Sequence, residues 1–192
     1  MNSGKAFVCF ATCVCFLGFA PVTEADGVKP FQLSLVTPLQ FHDRDMDIHG
    51  LRINLIYGQS RDIAGLDVGL INHAGGSVSG YQIGLLNLVE LDVYGVQEGL
   101  MNWTKGNVTG AQGGLANYTE GQVSGVQAGL INYTDSLAGL QLGLVNRSDY
   151  VSGVQLGALN LTRNLDGLQI GLINIATGKE VWQVLPIVNW HW

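Results

Sequence analysis

Glycine recurs through this chain at a fixed interval, first 15 residues and then 14. Gly50, Gly65, Gly80, Gly95, Gly110 and Gly125 are spaced by 15, and Gly139, Gly153 and Gly167 follow at 14. Aligned on them, the unit reads Gly-(Leu/Val)-Gln-x-Gly-Leu-x-Asn, then a variable stretch, then Val-x before the next Gly. So short and constant a period specifies stacked, near-identical units rather than a globule with a carved pocket. Each unit offers one clear strand, such as residues 126–132, then a polar turn, 133–136, and a brief second strand at 137–138. That is too little chain for a β-α unit, and no apolar stripe of helical period occurs beyond the first 25 residues. The expectation is an all-β protein.

Two architectures satisfy a strand-plus-turn repeat. In a β-solenoid each unit is one coil, and equivalent residues stack about 4.8 Å apart. In an up-and-down meander, or an outer-membrane β-barrel, successive units would run in opposite directions. The repeated identities favour the solenoid. Asparagine forms a column through 72, 87, 102, 117, 132, 146, 160 and 174, and glutamine one through 82, 97, 112, 127, 141, 155 and 169. In parallel register, side-chain amides hydrogen-bond up and down such columns. In an antiparallel meander the asparagines would alternate between ends, and the reason for their identity would vanish. The expectation is about nine coils of 14–15 residues, a rod on the order of 40 Å long at the spacing of strands. Three or four apolar side chains per coil are expected inside. The leucines (Leu130 and equivalents) and the residues after them (Ile131 and equivalents) fall on opposite faces of a straight strand, so sequence leaves open which faces inward. The mid-strand glycines, such as Gly129, permit close backbone approach. Residues 30–40 and 181–192 depart from the repeat and read as strands that protect the open ends.

The N-terminus is a separate element. Lys5 precedes an apolar run from Ala6 to Ala20, followed by Pro21 and Ala25. This reads as a secretory signal over residues 1–25, because a membrane span needs about 20 apolar residues. Cys9, Cys13 and Cys15, the only cysteines, all lie inside it, so the remaining chain has no disulfide, thiol nucleophile or thiolate ligand. Removing residues 1–25 takes away Lys5 and Glu24, and the net charge stays at −6. With charges scattered singly, nothing marks a nucleic-acid surface. The organisation expected is a signal (1–25), a first strand with an acidic loop (26–49), the repeat array (50–177) and a closing segment (178–192).

Candidate sites are sparse. Asp43, Asp45 and Asp47 alternate as weak candidates for Ca²⁺, but an EF-hand loop would want Gly where Ile48 stands and Glu where Asn54 stands; a solvated loop explains them. Six Asn-x-Ser/Thr sequons, at Asn102, Asn107, Asn117, Asn132, Asn146 and Asn160, are read as a by-product of the asparagine column. His73 and His191 lack a partner at a telling spacing. Glu90, Asp92, Glu98 and Glu120 lie in different coils with nothing to mark an acid and a base. No catalytic residue, cofactor or metal site is expected, and the chain reads as a non-enzyme. Val184, Val188, Trp190 and Trp192 approach the terminal strand of an outer-membrane barrel, interrupted by Pro186. Trp103, Tyr118, Tyr133 and Arg147 each follow the asparagine column and form a candidate strip facing a partner.

The segments 153–160, Gly-Val-Gln-Leu-Gly-Ala-Leu-Asn, and 167–174, Gly-Leu-Gln-Ile-Gly-Leu-Ile-Asn, resemble the repeats of a bacterial surface-repeat family typified by leptospiral repeat lipoproteins. The resemblance covers residues 30–192, including the lead-in Pro-Phe-Gln-Leu-Ser-Leu-Val-Thr-Pro. It implies export and exposure at the cell surface, and carries no activity, cofactor or catalytic residue. This chain lacks a convincing lipobox, which leaves its attachment open. The functional expectation is an exported structural or recognition module with an unidentified protein or carbohydrate ligand. An outer-membrane association and a carbohydrate-binding or carbohydrate-active solenoid are the alternatives.

Overall fold

The computed structural model describes residues 27–192; the signal sequence read at residues 1–25 lies outside them. The described chain is a β-solenoid without a helix, not a meander or barrel. Nine rungs open at Gly50, Gly65, Gly80, Gly95, Gly110, Gly125, Gly139, Gly153 and Gly167, all at positive φ. A typical rung has two arms. Val78–Ile83 is the long arm, Leu86–Val89 the short one, and a bend at Gly84 and Leu85 joins them. Each arm pairs in parallel with its equivalents above and below, Gly with Gly, Gln with Gln and Asn with Asn. The step from 15 to 14 residues falls between Thr119 and Gln122, in the turn, where pairing slips by one residue and recovers. From there the turns are tight enough that pairing continues unbroken over Ile131–Ala176.

The bend decides the orientation that sequence left open. Because the chain turns at the glycine before each leucine, the leucines and the residues after them both point outward, and the asparagine between the arms points in. The interior therefore divides into two lobes. Near the turns lies an apolar column, Ile63, Val78, Val93, Val108, Val123, Leu137, Val151 and Leu165, with Ala74, Val89 and Ala176 opposite. Near the bend the filling is amide: the glutamine and asparagine columns are buried throughout. The expected three or four buried apolar side chains per coil is corrected to one or two, since the leucines that would have supplied the rest lie outside.

The two glycine columns have different physical causes. Gly110, with φ +136°, sits where a Cβ would come 2.0 Å from the carbonyl oxygen of Gly95, so both the left-handed backbone and the close stacking require glycine. At the bend, a Cβ on Gly114 would come 2.3 Å from the carbonyl oxygen of Gly99 and 3.1 Å from the Asn102 amide nitrogen. There the backbone is not left-handed, and the carbonyl of the rung before is the nearest obstacle, with the inward asparagine behind it.

The ends differ from one another. Val28–Val36 joins the stack in parallel, placing Gln32 against Arg52 in the glutamine column, and Leu39–Gln40 folds back antiparallel on its outer side. At the other end Val184–His191 lies antiparallel on the last rung, which breaks the parallel repeat and covers its edge.

Candidate functional site

The two amide columns are continuous hydrogen-bonded ladders of opposite polarity. Each glutamine from Gln97 to Gln169 donates its Nε2 to the Oε1 of the rung before, at 2.6–2.8 Å. Each asparagine from Asn72 to Asn160 donates its Nδ2 to the Oδ1 of the rung after, at 2.8–2.9 Å. The same Nδ2 also donates to the last carbonyl of the next long arm, from Ile83 to Ile170, and so pins the bend. The two dipole columns therefore oppose one another along the rod.

The glutamine ladder is closed by charge at each end. Its terminal donor, Gln82 Nε2, gives to Asp67 Oδ2 at 2.7 Å, where a carboxylate meets the positive end of the column. Arg52, one rung earlier, donates Nε and Nη2 to the two oxygens of Asp67, both at 2.7 Å, and Nη1 to the carbonyl of His73. Both side chains are wholly buried. Asn54 Nδ2 bridges Asp67 and Asn72, tying the two ladders together. At the far end Asn189 Nδ2 donates to Gln169 Oε1, and Lys179 Nζ donates to Asn189 Oδ1, setting a cation by the negative end. Sequence reading missed Arg52 and Asp67; the available signal was that both stand two residues after a rung glycine, where glutamine belongs.

The four residues of the candidate strip are aligned. Trp103, Tyr118, Tyr133 and Arg147 stand one above another on the outer face of the short arms. Trp103 meets Tyr118 edge-on at 5.8 Å, Tyr118 and Tyr133 stack at 4.7 Å and 9°, and the Arg147 guanidinium lies 5.5 Å from the Tyr133 centroid. Stacking along the rod turns the two tyrosine faces toward each other and leaves their edges outward. Beside the strip runs a polar chain: Tyr57 Oη to His73 Nδ1 (2.8 Å), His73 Nε2 to Glu90 Oε1 (3.3 Å), Glu90 to Lys105, and Trp103 Nε1 donating to Glu120 (3.1 Å). The Lys105 ammonium, assisted by His73, holds the Glu90 carboxyl below its usual range. His73 thus has the partners that its sequence context did not show.

The other sequence candidates do not converge. Asp47 is engaged by Arg61 Nε at 2.6 Å, and Asp43, Asp45 and Asp47 do not gather: among the described residues no three His, Cys, Asp or Glu side chains could hold a metal. Five of the six sequon asparagines are buried in the ladder, and only Asn107 is exposed, in a turn. Trp190 and Trp192 line a depression of about 670 Å³ with Trp182 and Lys179, on a closing strand and not in a barrel wall.

The larger outward feature is apolar. The leucines at the bend form an unbroken ridge from Leu70 to Leu144, 47–57% exposed, interrupted at Ala158 and resumed at Leu172. Flanking it are the outward columns starting at Leu66, Val68 and Ile71. From the Gly65 rung to the Gly167 rung these four columns carry a single charged side chain, Glu98. Its carboxylate lies near the Tyr81 hydroxyl and raises the tyrosine pKa. The turn edge, opposite, carries Asp62, Glu90, Asp92, Lys105, Glu120, Asp135, Asp149 and Arg163. The rod is amphipathic about its long axis.

No protein-family model, curated protein or solved structure matches this chain.

Proposed function

We propose that this protein is an exported, non-enzymatic repeat module of the bacterial surface that works by docking through its long outer faces. The observation that supports this reading is the apolar strip at the bend, four columns wide and as long as the repeat array, set opposite a charged turn edge. Exposed apolar patches of this extent on soluble proteins mark interaction sites. The backbone beneath the strip pairs along the rod, rung to rung, so a partner meets side chains without stripping water from unpaired amides. The reading of a catalyst is weaker, because the buried glutamines and asparagines are engaged in ladders and Asp47, Glu90 and Asp149 pair with Arg61, Lys105 and Arg163. Export is supported by the apolar segment that precedes Asp26, and placement at a bacterial surface by the resemblance of the repeats.

The test is fractionation of the native cells, N-terminal sequencing of the product, and brief protease treatment of intact cells. A product starting near Asp26, outside the cytoplasm and lost on protease treatment, is expected. A full-length chain retained in the cytosol would overturn the proposal.

A further inference from the structure

We infer that the apolar strip is a self-association surface, and that two copies of this chain pair back to back along their leucine ridges. The inference deepens the docking reading by naming the occupant. Three observations carry it: area, period and charge.

At 4.8 Å per rung and 3.3 Å per residue, eight rungs and the chain between the outermost columns give a strip on the order of 600–700 Å². The closing strand extends it, because Val188 pairs with Ile170 and Trp190 with Leu168 on the same face. A stable interface takes about 800 Å² from each partner. The strip together with the closing strand approaches that area.

The period selects among partners. The leucines repeat at the spacing of parallel strands, and the one surface in hand with the same period is a second copy. An α-helix, at 5.4 Å per turn, slips about 0.6 Å against the ridge with each rung and is half a period out after about four. Two ridges of equal period interdigitate along their full length, and a two-fold axis across the rod makes the contact close on itself. Bilayer lipid has no register to match. The net charge of −6 and the lack of a Lys or Arg within the strip also work against anionic headgroups. In the paired arrangement both charged turn edges face away from the contact. The strip's lone carboxylate, Glu98, lies beside the polar hydroxyl of Tyr81.

The experiment is sedimentation equilibrium of residues 26–192, which contain every rung and both ends, without detergent from about 1 to 100 μM. A dimer is expected, converted to monomer by Leu115→Lys with Leu130→Lys. These half-exposed side chains lie outside the core, so the far-UV spectrum should be retained. Asp135→Lys on the turn edge should leave the dimer intact. Since the chain beyond Asp26 has no cysteine, single cysteines give a second readout that survives a misfolded lysine variant. Leu115→Cys and Leu130→Cys should form disulfide-linked dimers under mild oxidant, and Asp135→Cys should not. A wild-type monomer at 100 μM, a dimer indifferent to the ridge lysines, or cross-linking at Asp135 instead of the ridge would each overturn the inference. So would a monomer that floats with phosphatidylcholine vesicles, which would make lipid the occupant. These measurements use purified protein, so a failure of export in cells would leave their result standing.

Discussion

Each asparagine of the core makes bonds that its neighbours depend on. Asn117 accepts from Asn102 and donates to both Asn132 and the carbonyl of Ala128. Asn117→Ala therefore orphans a buried donor and a buried acceptor, at about 1–3 kcal/mol each. Urea unfolding should show a loss of about 2–6 kcal/mol on that basis, while Asn107→Ala, which gives up only exposed bonds to Gln122 and Asp92, should cost about 1 kcal/mol or less. The Arg52–Asp67 pair behaves differently. Arg52→Ala strands a buried carboxylate and should cost about 3–5 kcal/mol in the same assay. The double replacement Arg52→Gln with Asp67→Gln extends the neutral ladder by two rungs, and should recover most of that loss. Recovery in the double variant but not in the single one would separate the pairing of the charges from their packing.

At the scale of the rung, turn length chooses what the inward hydroxyl does. In the 15-residue rungs Thr104 and Thr119 donate to Gln97 and Gln112 of the ladder. In the 14-residue rungs Thr134, Ser148 and Thr162 donate instead to turn carbonyls, those of Ser136, Tyr150 and Asn164. Removing one residue pulls the carbonyl within reach of the hydroxyl, and the glutamine turns its spare proton to a backbone oxygen, as Gln141 does with Arg147. The turn edge also responds to pH. Arg61 holds the Asp47 carboxyl below its ordinary 3.8, and Lys105 with His73 holds Glu90 below its ordinary 4.5. A folded pKa below the unfolded one gives stability that is present above the unfolded value and lost as pH falls through the folded one. Thermal melts should therefore soften as pH drops below about 4.5. The effect should be small and reduced by salt, because both pairs are solvent-exposed. Glu90→Gln should flatten its share of the slope.

For the whole molecule, stability is a sum over rungs and their interfaces. Deleting residues 110–124, one complete rung, brings the Gly95 rung against the Gly125 rung with both ladders in register. That variant should fold, with the strand spectrum retained and a lower melting temperature. Deleting residues 110–116 takes out half a rung, sets Gln97 against Thr119 and Asn102 against Ser124 so that both ladders break, and should leave the chain unfolded or aggregated. Removing residues 178–192 takes away Asn189 and Lys179 and opens the last rung, so light scattering at constant concentration should rise as free edges pair between molecules.

The repeat by itself determined the parallel stack, because only in-register stacking gives identical amides a common partner. It also located the length change in the turn, where the columns are indifferent to it, and placed Trp103, Tyr118, Tyr133 and Arg147 in one line. What it did not determine was the direction of the leucines. Alternation along a straight strand places Leu130 and Ile131 on opposite faces, and only the bend at Gly129 turns both outward. The Arg52–Asp67 pair was hidden for a related reason: two substitutions in a column look like decay of the repeat until the ladder shows that they close its donor end. The amphipathic rod is thus a property of the fold. The asparagine that fastens each bend from inside leaves the apolar residues of that bend no place but the surface.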